Sequence, residues 1–257
     1  MNETHRMPAL FIGHGSPMNA IEDNDFTRGW REIARRLPRP EAILTISAHW
    51  YTEGTFTSDT QRPRTIHDMY GFPKALYAVQ YHAPGSPALA RRALALCPQA
   101  EVNNGWGIDH GTWSVLVHMF PRADIPVVQL SVDARLDAQA HYALGQALRP
   151  LRDEGVLILG SGNVVHNLRL IDWNTAGGFG WADEFDGIIR QRIESGQWDK
   201  AVDYRSAGTC AVQAFVTPDH YDPLLYALGA ADSADTVTVF NEARVLGSLS
   251  MTSYLFE

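Results

Sequence analysis

Four short apolar runs constrain this chain most. They occupy residues 8–12, 42–47, 125–132 and 156–159, and each has the length and continuity of a strand buried on both faces. Between and around them lie segments of helical period: residues 26–37 with Asp25 as N-cap, 87–96, 113–120, and 138–153 ended by Gly155. Further helices are expected around 181–197 and 224–228. The tail from Thr236 alternates like an antiparallel strand pair. Strand, helix, strand, helix predicts an α/β fold with a central, mostly parallel sheet and helices on both faces. In such sheets ligands gather beyond the carboxyl ends of the strands.

No repeat, low-complexity stretch or linker divides the sequence, so residues 1–257 read as a single catalytic domain. With 45% hydrophobic residues, a chain of this length can bury a substantial core. The net charge is −8, and no basic patch or arginine run occurs, which argues against nucleic acid and anionic membrane as partners. Cys97 and Cys210 stand alone, outside any ligand spacing, and read as ordinary thiols of a reducing compartment. No segment reaches the roughly 18 apolar residues of a membrane span, and no apolar stretch follows a basic N-terminus. The expected location is the cytoplasm; the oligomeric state is left open.

The chemistry lies in the ten histidines. His14 sits between Gly13 and Gly15 just past the first strand, where the absence of side chains lets something approach closely. His49 and His166 follow the ends of other strands of the same sheet. Neutral imidazole is the commonest protein ligand for metals, and two of them on rigid strand ends form a pre-organised half-site. His110 lies in GWGIDHGTWSVL as a loop residue before a helix that Thr112 is positioned to cap, with Asp109 beside it. Small residues and the amides of Asn163 and Asn167 surround His166. This glycine-rich turn matches neither the dinucleotide nor the Walker pattern. His220 precedes an apolar helix that Asp219 or Asp222 is placed to cap. The others are weaker candidates. His5 is incidental, His141 is expected to face solvent, and His118 to be satisfied by packing. His67 and His82, in loops, are at most substrate contacts.

GHGSP, SAHW, YGFP, APGSP, DHGTWSVL, IPVVQLS and GSGNVVHNL occur in this order from about residue 8 onward. In register, they resemble the class III extradiol ring-cleavage dioxygenases of the DOPA-dioxygenase type. The resemblance implies one mononuclear divalent metal per chain, Fe(II) for ring cleavage or Zn(II) as isolated. It makes His14 and His49 metal ligands, puts His166 and His220 at the remaining metal-site positions, and matches His110 to a histidine near the substrate. The sequence departs from the two-histidine, one-carboxylate triad usual for Fe(II) oxygenases. No carboxylate stands at a clear matching position; Asp109, Asp219 and Glu242 are the candidates. Whether His166 ligates or acts as the base stays open.

The implied reaction cleaves a catechol-type ring, so the expected partners are a small aromatic diol and O2. It needs a metal for both hydroxyls, an open position for O2, and an acid/base. His14, His49 and His220 then hold the ion, His166 handles the proton, and His110 steers a substrate oxygen. Trp50, Tyr70, Phe72 and Trp106 are candidates for an aromatic wall. Two alternatives accompany this reading. A zinc hydrolase on the same scaffold would need no redox chemistry, though no HExxH motif or carboxylate base is evident. A non-catalytic metal-containing binding protein would keep the pocket alone.

Overall fold

Successive strand side chains point to opposite faces, and this alternation fixes the layers. In the computed structural model, which describes residues 6–257, Phe11 of β1 (Ala9–Gly13) enters one core while Leu10 and Ile12 enter the other. Leu44 and Ile43 of β2 (Ala42–Thr52) divide in the same way, as do Ile158 and Leu157 of β6 (Val156–Gly162). A strand that feeds two cores must be apolar throughout, which is why these runs do not alternate with polar residues. His5 lies outside the described residues.

The remaining strands are β3 (Phe56–Thr57), β4 (Glu101–Val102), β5 (Val127–Asp133), β7 (Val237–Phe240), β8 (Arg244–Val245), β9 (Leu249–Ser250) and β10 (Ser253–Phe256). Eight strands form one sheet in the order β4-β3-β5-β2-β6-β1-β10-β7. Its central four, β5-β2-β6-β1, are parallel. The tail strands β10 and β7 add antiparallel edges, as the alternation predicts, and β8 and β9 form a separate two-stranded ribbon between them.

The helices are α1 (Asp25–Arg36), α2 (Lys74–Tyr77), α3 (Pro87–Leu96), α4 (His110–Met119), α5 (Ala138–Leu148), α6 (Pro150–Asp153), α7 (Gly180–Glu194), α8 (Trp198–Val202), α9 (Thr209–Ala214) and α10 (Asp222–Ala230). On one face α1 contributes Trp30 and Ile33, and α4 contributes Trp113 and Leu116. The other face is covered by α3, α5, α7 and α10. None of the helices among the described residues is long and apolar enough to cross a membrane.

Several boundaries differ from expectation. Pro150 divides the expected 138–153 helix, because a proline supplies no amide hydrogen and is tolerated only in a first turn. Asn24, not Asp25, caps α1, in a reciprocal pair with Thr27. Asp109, not Thr112, caps α4 by accepting from the Thr112 amide, so the helix starts earlier and His110 lies in its first turn rather than in a loop. No side chain caps α10, and Asp222 is its first residue. His141 is fully buried, not solvent-facing: its Nδ1 lies 3.1 Å from the Tyr226 hydroxyl on α10. That helix comes close because a Cβ on Gly145 would sit 2.4 Å from the Tyr226 carbonyl oxygen.

Candidate metal centre

Three chain segments converge at the carboxyl ends of the central strands. The amide of His14 extends the β1–β6 pairing by donating to Gly162 at 3.0 Å. What approaches its flanking glycines is the chain itself. A Cβ on Gly13 would lie 2.6 Å from the Met251 carbonyl oxygen, and Gly15, at φ +61, faces the Met251 sulfur. His49 is not past a strand end but inside β2, where the register with β5 shifts between Ile46 and Tyr51. Such a bulge re-aims side chains, and here it brings His49 against α4. A Cβ on Gly111 would come within 2.8 Å of the His49 ring. His220 ends a short 3-10 turn, Pro218–His220, whose carbonyl accepts from the Asn163 amide at 2.9 Å. The turn seats on Gly162, where a Cβ would be 2.1 Å from that same carbonyl oxygen. Of the two GSGN glycines, Gly162 therefore admits His220 and Gly160 admits the Pro223 backbone.

The hydrogen bonds assign the ring protons. Ser161 donates its hydroxyl hydrogen to the Gly111 carbonyl at 2.6 Å, so it can only accept from His14 Nδ1, 3.0 Å away. Asp219 Oδ2 accepts from His220 Nδ1 at 2.7 Å, and Asp68 Oδ2 lies 3.3 Å from His49 Nδ1. His14 and His220 thus carry their protons on Nδ1, the nearby Asp68 carboxylate favours the same tautomer in His49, and each ring turns a bare Nε2 lone pair inward. The Nε2 atoms of His14 and His49 are 3.1 Å apart, and His220 Nε2 is buried with no hydrogen-bond partner among the described residues. One potential ligand atom from each of the three lies within 4.8 Å of the others. Facing lone pairs repel, and each unmet buried acceptor costs roughly 1–3 kcal/mol. A divalent cation reverses both effects. Two nitrogens about 2.1 Å from one ion stand roughly 3.0–3.4 Å apart, the separation seen for His14 and His49. The donor set fits a metal, with a carboxylate or hydroxyl behind each ligand to orient it.

Electrostatics agree. Burial, then repulsion from neighbouring imidazoles, holds His14 and His49 well below the ordinary histidine range, and burial followed by His220 does the same for His166. Neutral rings compete with no proton for a metal.

The other expected residues take varied places. The His166 ring stacks on His220 with centroids 3.4 Å apart, and its amide donates to Ala214. His110 packs on His49 at 3.8 Å between centroids. Trp50 is buried and stacks on Trp106, whose Nε1 donates to Asp109. Tyr70 is 92% exposed and is not brought to the cluster, while Phe72 packs against the α1/α4 core. Asp109 is occupied by Ser47, Gln129 and Trp106, and burial followed by the Asp68 charge pushes it up. Glu242 pairs with Arg190 at the surface. His67 bonds the Val79 carbonyl, His118 the Asn19 carbonyl, and His82 is exposed.

Sequence reasoning missed Asp68. Its Oδ1 accepts from the His110 amide and its Oδ2 from His110 Nδ1, both at 2.9 Å. Burial would raise this carboxyl, but the hydrogen bond and charge of His110 hold it below the usual value. Nothing local marks the residue. It meets α4 because the Ile66 amide donates to Ile108 and Trp113 Nε1 donates to Ile66, pinning its loop.

Residues 4–257 match the sequence model of the family described as the catalytic LigB subunit of aromatic ring-opening dioxygenase. A 4,5-DOPA dioxygenase extradiol of Escherichia coli K12 is 46% identical over 260 residues, covering 96% of this chain and 94% of that protein. One from Beta vulgaris is 38% identical, covering 99% and 98%. The crystal structure of an uncharacterized protein from Escherichia coli K12 superposes with a TM-score of 0.86 at 42% identity, covering 98% of this chain and all of that one.

Proposed function

This chain belongs to the family of LigB-type catalytic subunits of aromatic ring-opening dioxygenases, and from that premise we propose how its own residues divide the work. The reaction is extradiol cleavage of an aromatic ring by O2. The substrate we propose is a catechol, with DOPA first among those to test because the similar Escherichia coli and Beta vulgaris proteins carry it in their names. We read the whole chain as one catalytic domain, working in the cytoplasm, where its two free cysteines stay reduced.

His14, His49 and His220 would hold one divalent metal; the observation that carries this reading is their bare, converging Nε2 atoms. When bound, the metal supplies acidity to the two adjacent hydroxyls and a redox partner for O2, which favours Fe(II) for turnover since Zn(II) has no redox chemistry. The protein supplies the rest. Ser161, Asp68 and Asp219 hold the rings in their Nδ1–H tautomers. His110 and His166, on either side of the cluster, take up and return the protons of the hydroxyls. The lowered proton affinity of His166 suits that task, since an imidazole must arrive unprotonated to act as a base. Trp50 and Trp106 form the aromatic wall.

The test is anaerobic loading with Fe(II), then oxygen uptake with a panel of catechols. The reading expects O2 consumption with a yellow ring-opened product, absent from the zinc form. Protein holding one Fe(II) that consumes no O2 with any catechol, DOPA included, refutes it.

A further inference from the structure

We propose that Asp68 is the positioning residue that makes His110 the base of this site, by holding the imidazole at two points and reserving its Nε2 for a substrate hydroxyl. The inference rests on the ring-cleavage reading above and adds to it an assignment of the proton acceptor.

The clamp is visible in three contacts. Oδ1 accepts from the His110 backbone amide at 2.9 Å, and Oδ2 accepts from His110 Nδ1 at 2.9 Å. A single carboxylate thus fixes both the first turn of α4 and the rotation of the ring it carries. The third contact places Oδ2 3.3 Å from His49 Nδ1. An ionised carboxylate accepts and cannot donate, so both rings keep their protons on Nδ1. His49 then turns Nε2 toward His14, whereas Nε2 of His110 has no partner within the protein among the described residues. Among the described residues His166 has no such anchor: its ring stacks on His220, and neither of its nitrogens is hydrogen-bonded to a carboxylate or carbonyl. A base oriented by a third group is the arrangement that activates hydroxyls elsewhere.

The proton step balances simply. The substrate O–H bond breaks with its electron pair left on oxygen. The proton bonds to Nε2, giving an imidazolium whose Nδ1–H stays on Asp68. The same proton is available for return when the ring opens.

Asp68→Asn separates positioning from bulk. Asparagine keeps the shape but offers only one accepting atom, so either the His110 amide or the Nδ1 hydrogen meets an NH2 group. Four readouts apply, all on the full chain. Histidine ring nitrogen correlations of the zinc-loaded protein should show His110 as Nδ1–H in the wild type and displaced from that tautomer in the variant. With Fe(II), kcat should fall at least about 100-fold, KM staying within about threefold at full metal occupancy. Asp68→Glu, which restores two acceptors, should recover part of kcat and substitutes for the first variant should that not fold. In the His110→Ala background the Asp68 substitution should cost little more, since its effect passes through the missing ring. An unchanged tautomer, kcat within threefold of wild type, additive losses, or a loss cured by excess metal overturns the proposal; the last assigns Asp68 to His49 alone. The tautomer readout needs no turnover, so it stands even if no catechol is cleaved, and failure of the ring-cleavage reading is seen separately in the wild type.

Discussion

Gly162→Ala probes the seat of the third ligand. The added Cβ would lie 2.1 Å from the His220 carbonyl oxygen and 3.0 Å from its carbon. Ordinary contact is more than 3 Å, so the Pro218–His220 turn must retreat by about 1 Å. Both obstructing atoms belong to the backbone and cannot rotate away. Forcing a methyl into such a site costs about 1–3 kcal/mol. The Asn163–His220 hydrogen bond, 2.9 Å in the native chain, is lost or stretched for about 1 kcal/mol more. The expected loss of stability is therefore about 2–4 kcal/mol, read by urea unfolding of the metal-free protein. The functional loss should be steeper, because a misplacement of about 1 Å at a catalytic group costs on the order of 100-fold. Zinc affinity, measured by chelator competition, should fall at least tenfold, and kcat/KM of the Fe(II) form by about 100-fold. A variant within 1 kcal/mol of wild type that binds zinc equally well would refute the seating of His220 on Gly162.

Three further outcomes are expected. His14→Ala, His49→Ala and His220→Ala should each reduce metal affinity by at least about 100-fold by dialysis and metal analysis, whereas His118→Ala, whose Nε2 bonds the Asn19 carbonyl and whose Nδ1 bonds Arg31, should not. Burial holds His141 down to about 4, so its contribution to stability is present above pH 6.5 and is lost as pH falls toward 4; burial and the Asp219 charge push Asp222 up to about 8, so its contribution is lost as pH rises toward 8. His141 Nε2 lies 3.5 Å from Asp222 Oδ2, so the two titrate as a pair whose slopes oppose each other between pH 4 and 6.5; the metal-free chain should lose at most about 2 kcal/mol from pH 6.5 to 8 in urea titrations, and Asp222→Asn should reduce that fall. Tyr70→Ala should leave KM for a catechol within about threefold, since its ring is 92% exposed, while Trp50→Ala should raise it by more.

The strands were legible because burial on both faces leaves a continuous apolar run, and β1, β2, β5 and β6 all have one. So were the histidines, because a polar ring among glycines at a strand end is conspicuous. What escaped depended on contacts distant in sequence. The sequence alone puts His49 past its strand, because a bulge is a property of the pairing with β5 and not of β2 alone. The glycines beside His14 promise room for an approach, and what approaches is Met251, more than two hundred residues along. Nothing in the TIHDMYGFP stretch marks Asp68, and only the pinning of its loop against Ile108 reveals which histidine it serves. His141 sits among alanines in a helix whose outer side is ordinarily wet, and α10 covers that side through Gly145. Of the carboxylates Asp109, Asp219 and Glu242, Asp219 comes nearest the cluster, and it stands behind a histidine rather than beside it.

The central claim is that three imidazole Nε2 atoms gather one metal ion. Crystals grown anaerobically with Fe(II), with anomalous data collected at the iron edge, test it most directly. The account predicts one peak per chain, within bonding distance of Nε2 of His14, His49 and His220. A peak between His166 and Asp219, or a peak that persists at full height in His220→Ala, would contradict it.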